Sequence, residues 1–181
     1  MKLISTLENK VSFILHKTFS PALYLPISHY VSWKLENDWD DYNELYHAIQ
    51  FMEKLNETEG IWYDIHSLEK YQKVRGVLTI VGGQLDKLEL DENIDPRNSI
   101  LLKYFHLIEK GQGYGSYWLK SVIIPHYANK GFQSINLSSS HPKSFPFYQR
   151  LGQEVTTCSK KSDNQLYDRI CKTFCIPLKN Q

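Results

Sequence analysis

The sequence predicts a single mixed, mostly antiparallel sheet of about seven strands flanked by helices, an α/β fold. Three observations lead to this prediction. The chain has 181 residues, of which 41% are hydrophobic and 13% aromatic, which is typical of a globular protein. Strand-like runs and helical periodicity follow in the order strand, helix, three strands, helix, strand, helix, two strands. No internal repeat, linker or low-complexity segment divides the chain.

The composition also narrows the classes of function. A formal net charge of +1 favours neither nucleic acid nor an anionic membrane as a partner. No stretch approaches 18 uninterrupted apolar residues, so no membrane span is predicted. The cysteines are Cys158, Cys171 and Cys175, and the first residues do not have the form of a secretory leader. We therefore expect reduced thiols in a cytoplasmic protein.

Residues 1–28 are predicted to form a helical extension that precedes a main domain over residues 29–181. The segment 5–8 (STLE) has the form of a capping box, and apolar residues then fall on one side of a helix that ends near Phe19. Two prolines follow and interrupt it. Packing on the domain is the favoured role for this helix, with a dimer contact or a lid as alternatives.

The elements of the main domain follow from periodicity and from turn residues. In chain order they are a strand at 30–35, a helix at 42–55, strands at 60–67 and 74–83, a loop at 91–98, a central strand at 100–107, a helix from Tyr114 to about Gly131, a strand at 132–137, a short helix after His141, and a hairpin of 153–158 with 166–174.

The stretch 99–127 is the most informative, because a glycine-rich turn, Lys110-Gly111-Gln112-Gly113-Tyr114-Gly115, joins the central strand to a helix. Three glycines in five residues remove side chains where the helix begins, so its N–H groups can approach a phosphate closely. A diphosphate is the natural ligand. The spacing G-x-G-x-G differs from the dinucleotide-binding G-x-G-x-x-G, and the segment 115–117 is not the end of a Walker loop.

About thirty residues further on, the chain carries Phe147-Tyr148-Gln149-Arg150-Leu151-Gly152. Together the two motifs resemble the acyl-CoA signature of the GNAT N-acetyltransferase superfamily. In that signature Arg/Gln-x-x-Gly-x-Gly/Ala is followed by a strand and by a short helix that ends in Phe-Tyr-x-x-Leu-Gly. The resemblance covers roughly residues 30–178 and is clearest from Val74 onward. It implies the acyl-CoA N-acyltransferase (GNAT-like) fold, with acetyl-CoA as co-substrate. The histidines of the chain do not lie at metal-ligand spacing, so no metal is expected.

The resemblance also implies which residues bind the cofactor. The backbone of Tyr104 and Phe105 would pair with the amide-bearing pantetheine arm, as an added strand would. His141 stands on the cofactor side, where many members of the family carry Asn. Lys110 replaces the usual Arg or Gln, and its charge suits a neighbouring phosphate. The residues that would wrap the diphosphate are Lys110, Gly111, Gln112, Gly113, Tyr114, Gly115 and Ser116.

Tyr148 falls on the family's usual general acid. A phenol with a pKa of about 10 can give a proton to the leaving thiolate without being ionised at neutral pH. The group that accepts the proton of the attacking amine is left open, because the predicted central strands at 100–107 and 132–137 contain no acid. The candidates are His106, Asp64 and His66, with a water chain as an equal alternative.

The leading hypothesis is therefore an acetyl-CoA-dependent N-acetyltransferase that acts on the primary amine of a small-molecule or peptide acceptor. The alternative is a catalytically silent acyl-CoA-binding module with a sensing or regulatory role. The identity of the acceptor stays open, as does the oligomeric state, for which a homodimer is slightly favoured.

Two further groups of residues are assigned mainly to structure. Cys171 and Cys175 lie four positions apart on a predicted strand, and about 13 Å is too far for both to bind one metal ion. The aromatic residues of the first half could form the acceptor pocket, but core packing is favoured for them. They are Trp33, Trp39, Trp62 and Tyr63.

Overall fold

A computed structural model of the protein describes residues 1–8, 10–37, 44–88, 94–162 and 165–178. Its centre is an eight-stranded sheet in the order β1-β2-β3-β4-β5-β6-β8-β7. The strands are β1 Lys2–Leu7, β2 Val11–His16, β3 Ile61–Lys70, β4 Lys73–Gly83, β5 Ser99–Leu107, β6 Ser134–Ser139, β7 Gln153–Lys161 and β8 Asp168–Pro177. Neighbouring strands are antiparallel except β5 and β6, which are parallel. The predicted mixed, mostly antiparallel sheet is confirmed, with eight strands instead of about seven.

Helices cover both faces of this sheet. They are α1 Leu25–Asn37, α2 Glu44–Asn56, α3, which consists of the consecutive segments Tyr114–Tyr117, Trp118–Ile123 and Ile124–Ala128, and α4 Phe145–Gln149. Short 3-10 turns lie at Pro21–Leu23, Leu85–Lys87 and Pro142–Ser144. None of the helices in the described ranges has the length and apolar composition needed to cross a membrane.

Two hydrophobic cores form because β4 is covered on both faces. Leu78 and Ile80 pack with Trp118 of α3 on one face. Val77 and Val81 pack on the other face against a cluster that includes residues of α1 and α2. A strand buried on both sides needs apolar residues at nearly every position, and residues 76–82 are all buried and lack polar side chains except for Thr79.

The predicted N-terminal helix is wrong, because residues 2–16 form the hairpin β1–β2, which joins the sheet through β3. The apolar residues of the segment 11–15 fit helical spacing, yet Val11, Phe13 and Leu15 also alternate as a strand requires, and all three are buried. The apparent capping box covers the last residues of β1 and Glu8 of the turn that follows. Residues 1–28 are therefore not a helical extension, and the hairpin continues the main sheet.

The strand predicted at 30–35 is also wrong, since these residues belong to α1. Their aromatic and β-branched side chains resemble a strand in composition. Pro26 lies in the first turn of the helix, where a missing N–H is tolerated. Ile27 and Val31, one helical turn apart, are both buried in the core. Packing against the sheet therefore decides the conformation.

The remaining predicted elements are confirmed with small shifts of their ends. The helix predicted at 42–55 is α2, although Tyr42 lies outside the described residues. Only residues 94–98 of the predicted loop are described, and they lead directly into β5. The terminal hairpin is longer than predicted, because β7 and β8 pair as far as Lys161 and Asp168.

Candidate active site

The central feature of the site is a gap between two neighbouring strands. The strands β5 and β6 pair at only three positions, Ser99 with Ser134, Ile100 with Ile135 and Leu101 with Asn136. Both strands then continue, β5 to Leu107 and β6 to Ser139, without pairing with each other. A cavity of about 860 Å³ lies along this divergence. The facing edges of the two strands therefore offer backbone groups to a ligand instead of to each other.

A β-bulge shapes the wall that β5 contributes. On the β4 side Thr79 pairs with Tyr104 and Ile80 with Leu102, so Lys103 is the extra residue. The Lys103 ammonium lies 4.6 Å from the centre of the Phe51 ring in α2. The next residue, Tyr104, also lies on the face of the sheet that α2 covers, and it packs in the core formed with α1 and α2. The bulge thus directs two consecutive side chains of β5 toward α2.

The glycine turn lies at the end of β5 and opens into the same cleft. Gly111 and Gly113 both have φ of +79°, and a Cβ built on either residue would have nothing within 4 Å. The first hydrogen bond of α3 runs from the Tyr117 N–H to the Gly113 carbonyl, at 3.0 Å. The N–H groups of residues 114–116 precede that hydrogen-bond ladder. Space and backbone donors therefore coincide at the mouth of the cleft.

The helix α3 is held rigidly behind this turn. Its π-helical middle segment, Trp118–Ile123, ends two residues before Pro125, and the Ile124 N–H donates to the Leu119 carbonyl. The wider turn accommodates a proline that lacks an N–H and that would clash with the preceding turn of an α-helix. Trp118 is fully buried, with ring centres 5.8 Å from Phe13 and 5.7 Å from Phe105. This packing fixes where the helix begins.

The opposite wall follows β6 into a serine-rich turn. The hydroxyls of Ser139 and Ser144 are 2.8 Å apart, and Ser139 Oγ accepts the His141 N–H at 3.2 Å. The His141 carbonyl in turn accepts the Ser144 N–H at 2.9 Å. These bonds hold the exposed residue His141 at the edge of the cleft that the glycine turn also lines.

Tyr148 lies on α4 and closes the apolar side of the cleft. Its side chain is only 7% exposed, and its ring packs 5.1 Å from Phe147 and 5.6 Å from Phe174. Burial raises the pKa of the Tyr148 phenol, since the phenolate would lose its hydration. The hydroxyl therefore remains protonated at neutral pH and is able to donate a proton.

The structure places all the predicted cofactor-binding residues and Tyr148 around this one cleft. They are Tyr104, Phe105, Lys110, Gly111, Gln112, Gly113, Tyr114, Gly115, Ser116, His141 and Tyr148. The wall formed by His47 and Phe51 of α2 and by Arg169 of β8 was not predicted from the sequence. Helical periodicity indicated only that α2 is amphipathic, and no local motif marked Arg169.

Of the three candidate proton acceptors, only His106 lines the cleft, where it is buried and its ring stacks 6.3 Å from that of Tyr104. Asp64 and His66 lie on β3 and face α3 instead. The Tyr127 hydroxyl donates to Asp64 Oδ2 at 2.9 Å and lies 2.7 Å from His66 Nε2. Asp64 also forms an ion pair with Lys17. This buried network ties α3 to the sheet.

Two of the early aromatic residues pack as predicted. Trp62 stacks on Tyr127 at 6.4 Å and contacts Phe132 at 5.8 Å, and Tyr63 packs against the α1 and α2 core. Trp39 lies outside the described residues, as does the side chain of Trp33.

The cleft carries an excess of positive charge. Glu109 is the one carboxylate among the described residues that line it, and its carboxylate binds Lys70 at 3.0 Å and lies 3.7 Å from Arg75. The lining cations are Lys103, Lys110, Lys143, Arg150 and Arg169. The Lys103 residue is exposed, but its ammonium packs on the Phe51 ring, and the local loss of hydration lowers the pKa of that ammonium. Such a cleft favours a polyanionic ligand.

No group of three or more His, Cys, Asp or Glu side chains within the described ranges is placed to hold a metal ion.

Comparison with known proteins gives matches by structure only. No family model matches the sequence. No curated protein matches it either. Among solved structures, an acetyltransferase from Salmonella typhimurium that modifies the N-terminal serine of ribosomal protein L7/L12 has a TM-score of 0.63 at 13% identity, and the alignment covers 98% of this chain and 100% of that one.

Two further solved structures show the same likeness. A GNAT-family protein from Desulfovibrio desulfuricans has a TM-score of 0.60 at 12% identity, with 93% of this chain and 99% of that chain covered. The yncA protein of Salmonella typhimurium, solved with its cofactor acetyl-CoA, has a TM-score of 0.59 at 11% identity, with 93% and 95% covered. At these identities the likeness shows the fold.

Proposed function

From the GNAT fold of this chain, we propose that it transfers an acetyl group from acetyl-CoA to a primary amine. One observation carries the proposal. The diverging edges of β5 and β6, the glycine turn and the buried Tyr148 hydroxyl all belong to one cleft. A scaffold that only bound another protein would not need backbone donors, open space above two glycines and a proton donor at the same place.

The residues present fit acetyl-CoA. The open space above Gly111 and Gly113 leaves room for a diphosphate against the first N–H groups of α3. Lys110 lines the same mouth and supplies positive charge. Along the gap, the β5 backbone at Tyr104 and Phe105 would pair with the amides of the pantetheine arm. When bound, acetyl-CoA supplies an activated acetyl group and a thiol leaving group.

Tyr148 would act as the general acid. Because burial keeps its phenol protonated at neutral pH, the hydroxyl holds the proton that a departing thiolate needs. Its ring is fixed between Phe147 and Phe174, so the hydroxyl is oriented before any substrate binds.

The proton of the attacking amine would pass to His106 or to a water chain. Of the three candidates, His106 alone lies in the cleft, next to Tyr104 on β5 and on the side that faces α2. Its imidazole belongs to the residue type that most often acts as a base near neutral pH. Asp64 and His66 are held in the network under α3 and are not proposed as bases.

The test is incubation with acetyl-CoA and a panel of amines. The panel holds free amino acids, polyamines, a lysine-containing peptide and peptides with free N-termini, the last because the Salmonella neighbour modifies an N-terminal serine. We expect release of coenzyme A thiol above a protein-only control and an acetylated product for at least one acceptor. Failure to bind acetyl-CoA at all would refute the proposal.

A second candidate, a catalytically silent acyl-CoA-binding module, is favoured by the lack of a carboxylate base among the described lining residues. The one lining carboxylate there, Glu109, is already engaged by two cations. Tight binding of acetyl-CoA by calorimetry, with no thiol released for any amine, would select this alternative over the enzyme.

The cytoplasmic location and the homodimer remain predictions. Fractionation of cells and light scattering of the purified protein would test them.

A further inference from the structure

The outer hairpin places two of the three cysteines directly opposite each other. In the antiparallel pair β7–β8, Cys158 is the cross-strand partner of Cys171, between the pairs Thr157 with Lys172 and Ser159 with Ile170. No disulfide links any of the three cysteines in this structure. Cys158 and Cys171 are therefore neighbours because of the strand register alone.

The register brings these two cysteines within the reach of a disulfide. Residues directly opposite in an antiparallel pair have Cα atoms about 4.5–5.5 Å apart, and a disulfide spans roughly 4.4–6.8 Å between Cα atoms. Their Cβ atoms would need to approach by about 1 Å or less. Among the strands that the structure describes, β7 is at the edge of the sheet and pairs only with β8, so a shift of that size disturbs no other of these strands.

The same register excludes the two other pairings. Cys175 lies opposite Gln153, five positions along β7 from Cys158, which is a separation of about 16 Å. Cys171 and Cys175 are four positions apart on one strand, about 13 Å. Folded protein therefore has one pair of cysteines that can join without unpairing a strand.

We propose that Cys158 and Cys171 form a reversible cross-strand disulfide, with glutathione disulfide as the oxidant. Cys158 is exposed and would react first, whereas Cys171 is only 8% exposed. The Cys158 thiolate attacks one sulfur of glutathione disulfide, forms a mixed disulfide and releases one glutathione thiolate. The Cys171 thiolate then attacks the Cys158 sulfur and releases the second glutathione. Two protein thiols are oxidised, and one glutathione disulfide is reduced to two thiols.

The disulfide would lie next to the cleft. Arg169 stands two positions before Cys171 on β8, and both are buried in the alternating pattern of the strand, so they share a face. Arg169 also lines the cleft, and its guanidinium donates to the Tyr167 hydroxyl at 2.7 Å. A disulfide between β7 and β8 at this point would restrict the movement of the part of β8 that carries Arg169.

The test uses the folded full chain with glutathione disulfide, followed by thiol counting and a tryptic map without reductant. Cleavage after lysine and arginine places the cysteines on separate peptides, LGQEVTTCSK for Cys158, ICK for Cys171 and TFCIPLK for Cys175. We expect the thiol count to fall from three to one and LGQEVTTCSK to be joined to ICK. Dithiothreitol should restore all three thiols.

Matched variants and a denatured control show whether the folded register selects this pair of cysteines. Cys175→Ser should still form the cross-link, and Cys158→Ser should not. Oxidation in guanidinium should give mixed pairings, because only the folded register selects one. Two results on protein that is folded by circular dichroism would overturn the proposal: a stable glutathione adduct on Cys158 with no internal bond, or a cross-link that contains the TFCIPLK peptide.

Discussion

The phenol of Tyr148 is the residue for which the structure gives a specific chemical expectation, since burial favours its protonated form. We expect Tyr148→Phe to lower kcat about 100-fold and to leave KM nearly unchanged, because the hydroxyl is needed when the thiolate leaves and not when the substrates bind. Steady-state kinetics checks this. Tyr71→Phe, at an exposed turn, is the control. Equal activity of the Tyr148 variant would remove this residue from the mechanism.

Gly113 allows a matched test of the glycine turn, for which we propose phosphate binding. We expect Gly113→Val to abolish acetyl-CoA binding in calorimetry while the protein stays folded, because the new side chain fills the space above the first N–H groups of α3. Gly131→Val is the control. Gly131 also has positive φ and open space around its Cβ position, but it is not part of the cleft.

Both glycine variants should lose about 1–2 kcal/mol of stability from backbone strain. Only the Gly113 variant should lose its ligand. Unchanged affinity of that variant for acetyl-CoA would contradict the assignment of the turn.

His106→Gln tests the proton acceptor. If the imidazole takes the amine proton, the variant should lose about 100-fold in kcat/KM. Steady-state rates of the wild type and the variant with the same amine check this. A variant with wild-type rates would favour the water chain.

At this scale the sequence allowed one side of the cleft to be predicted, because the lining residues around Gly113 and Tyr148 lie in two compact motifs with recognisable local spacing. The part of the cleft formed by α2 and β8 could not be predicted in the same way. Phe51 of α2 and Arg169 of β8 are far apart in sequence, and only the tertiary fold, including the order of the strands, brings them to one cleft.

Among the elements, β3 carries the polar network that links the sheet to α3. Burial lowers the pKa of His66 to about 3, although the charge of nearby Asp64 acts in the opposite direction. Unfolded histidine has a pKa of about 6.5, so below that pH the unfolded state binds a proton that the folded state does not. The stability that neutral His66 contributes is complete above pH 6.5 and is lost as the pH falls toward 3.

We therefore expect the free energy of unfolding to decrease with acidification below pH 6.5, by up to about 1.4 kcal/mol per pH unit from this one group. The variant His66→Gln should show a shallower decrease. Urea unfolding at pH 7.5, 6 and 5 provides the measurement. Parallel curves for the wild type and the variant would show that His66 does not titrate in this way.

The elements that sequence analysis placed wrongly, the β1–β2 hairpin and α1, share a physical cause. Apolar residues at positions 11–15 satisfy helical and strand periods together, and the edge of β3 decides between them. In α1, aromatic and β-branched residues suggest a strand, but Ile27 and Val31 are buried against the sheet only as a helix. Where a local pattern is ambiguous, the partner in the tertiary structure decides.

For the whole molecule, acetyl-CoA should stabilise the fold, because its site joins parts that are distant in the chain and so exists only in the folded state. At 100 times its dissociation constant, a ligand adds about 2.7 kcal/mol. For a protein of this size that is about 5–10 °C in Tm. Differential scanning fluorimetry measures the shift, with acetate and inorganic phosphate as controls. No shift at saturating acetyl-CoA would contradict binding in the cleft.

The three residue pairs that join β5 to β6 are a short seam between a five-stranded part, β1 to β5, and a three-stranded part, β6 to β8. Small rotations of the two parts about this seam would open or close the cleft along its whole length. Release of coenzyme A, and not the chemical step, would then limit kcat. A kcat that falls in proportion to solvent viscosity would support this motion, and a kcat that does not change with added glycerol or sucrose would exclude it.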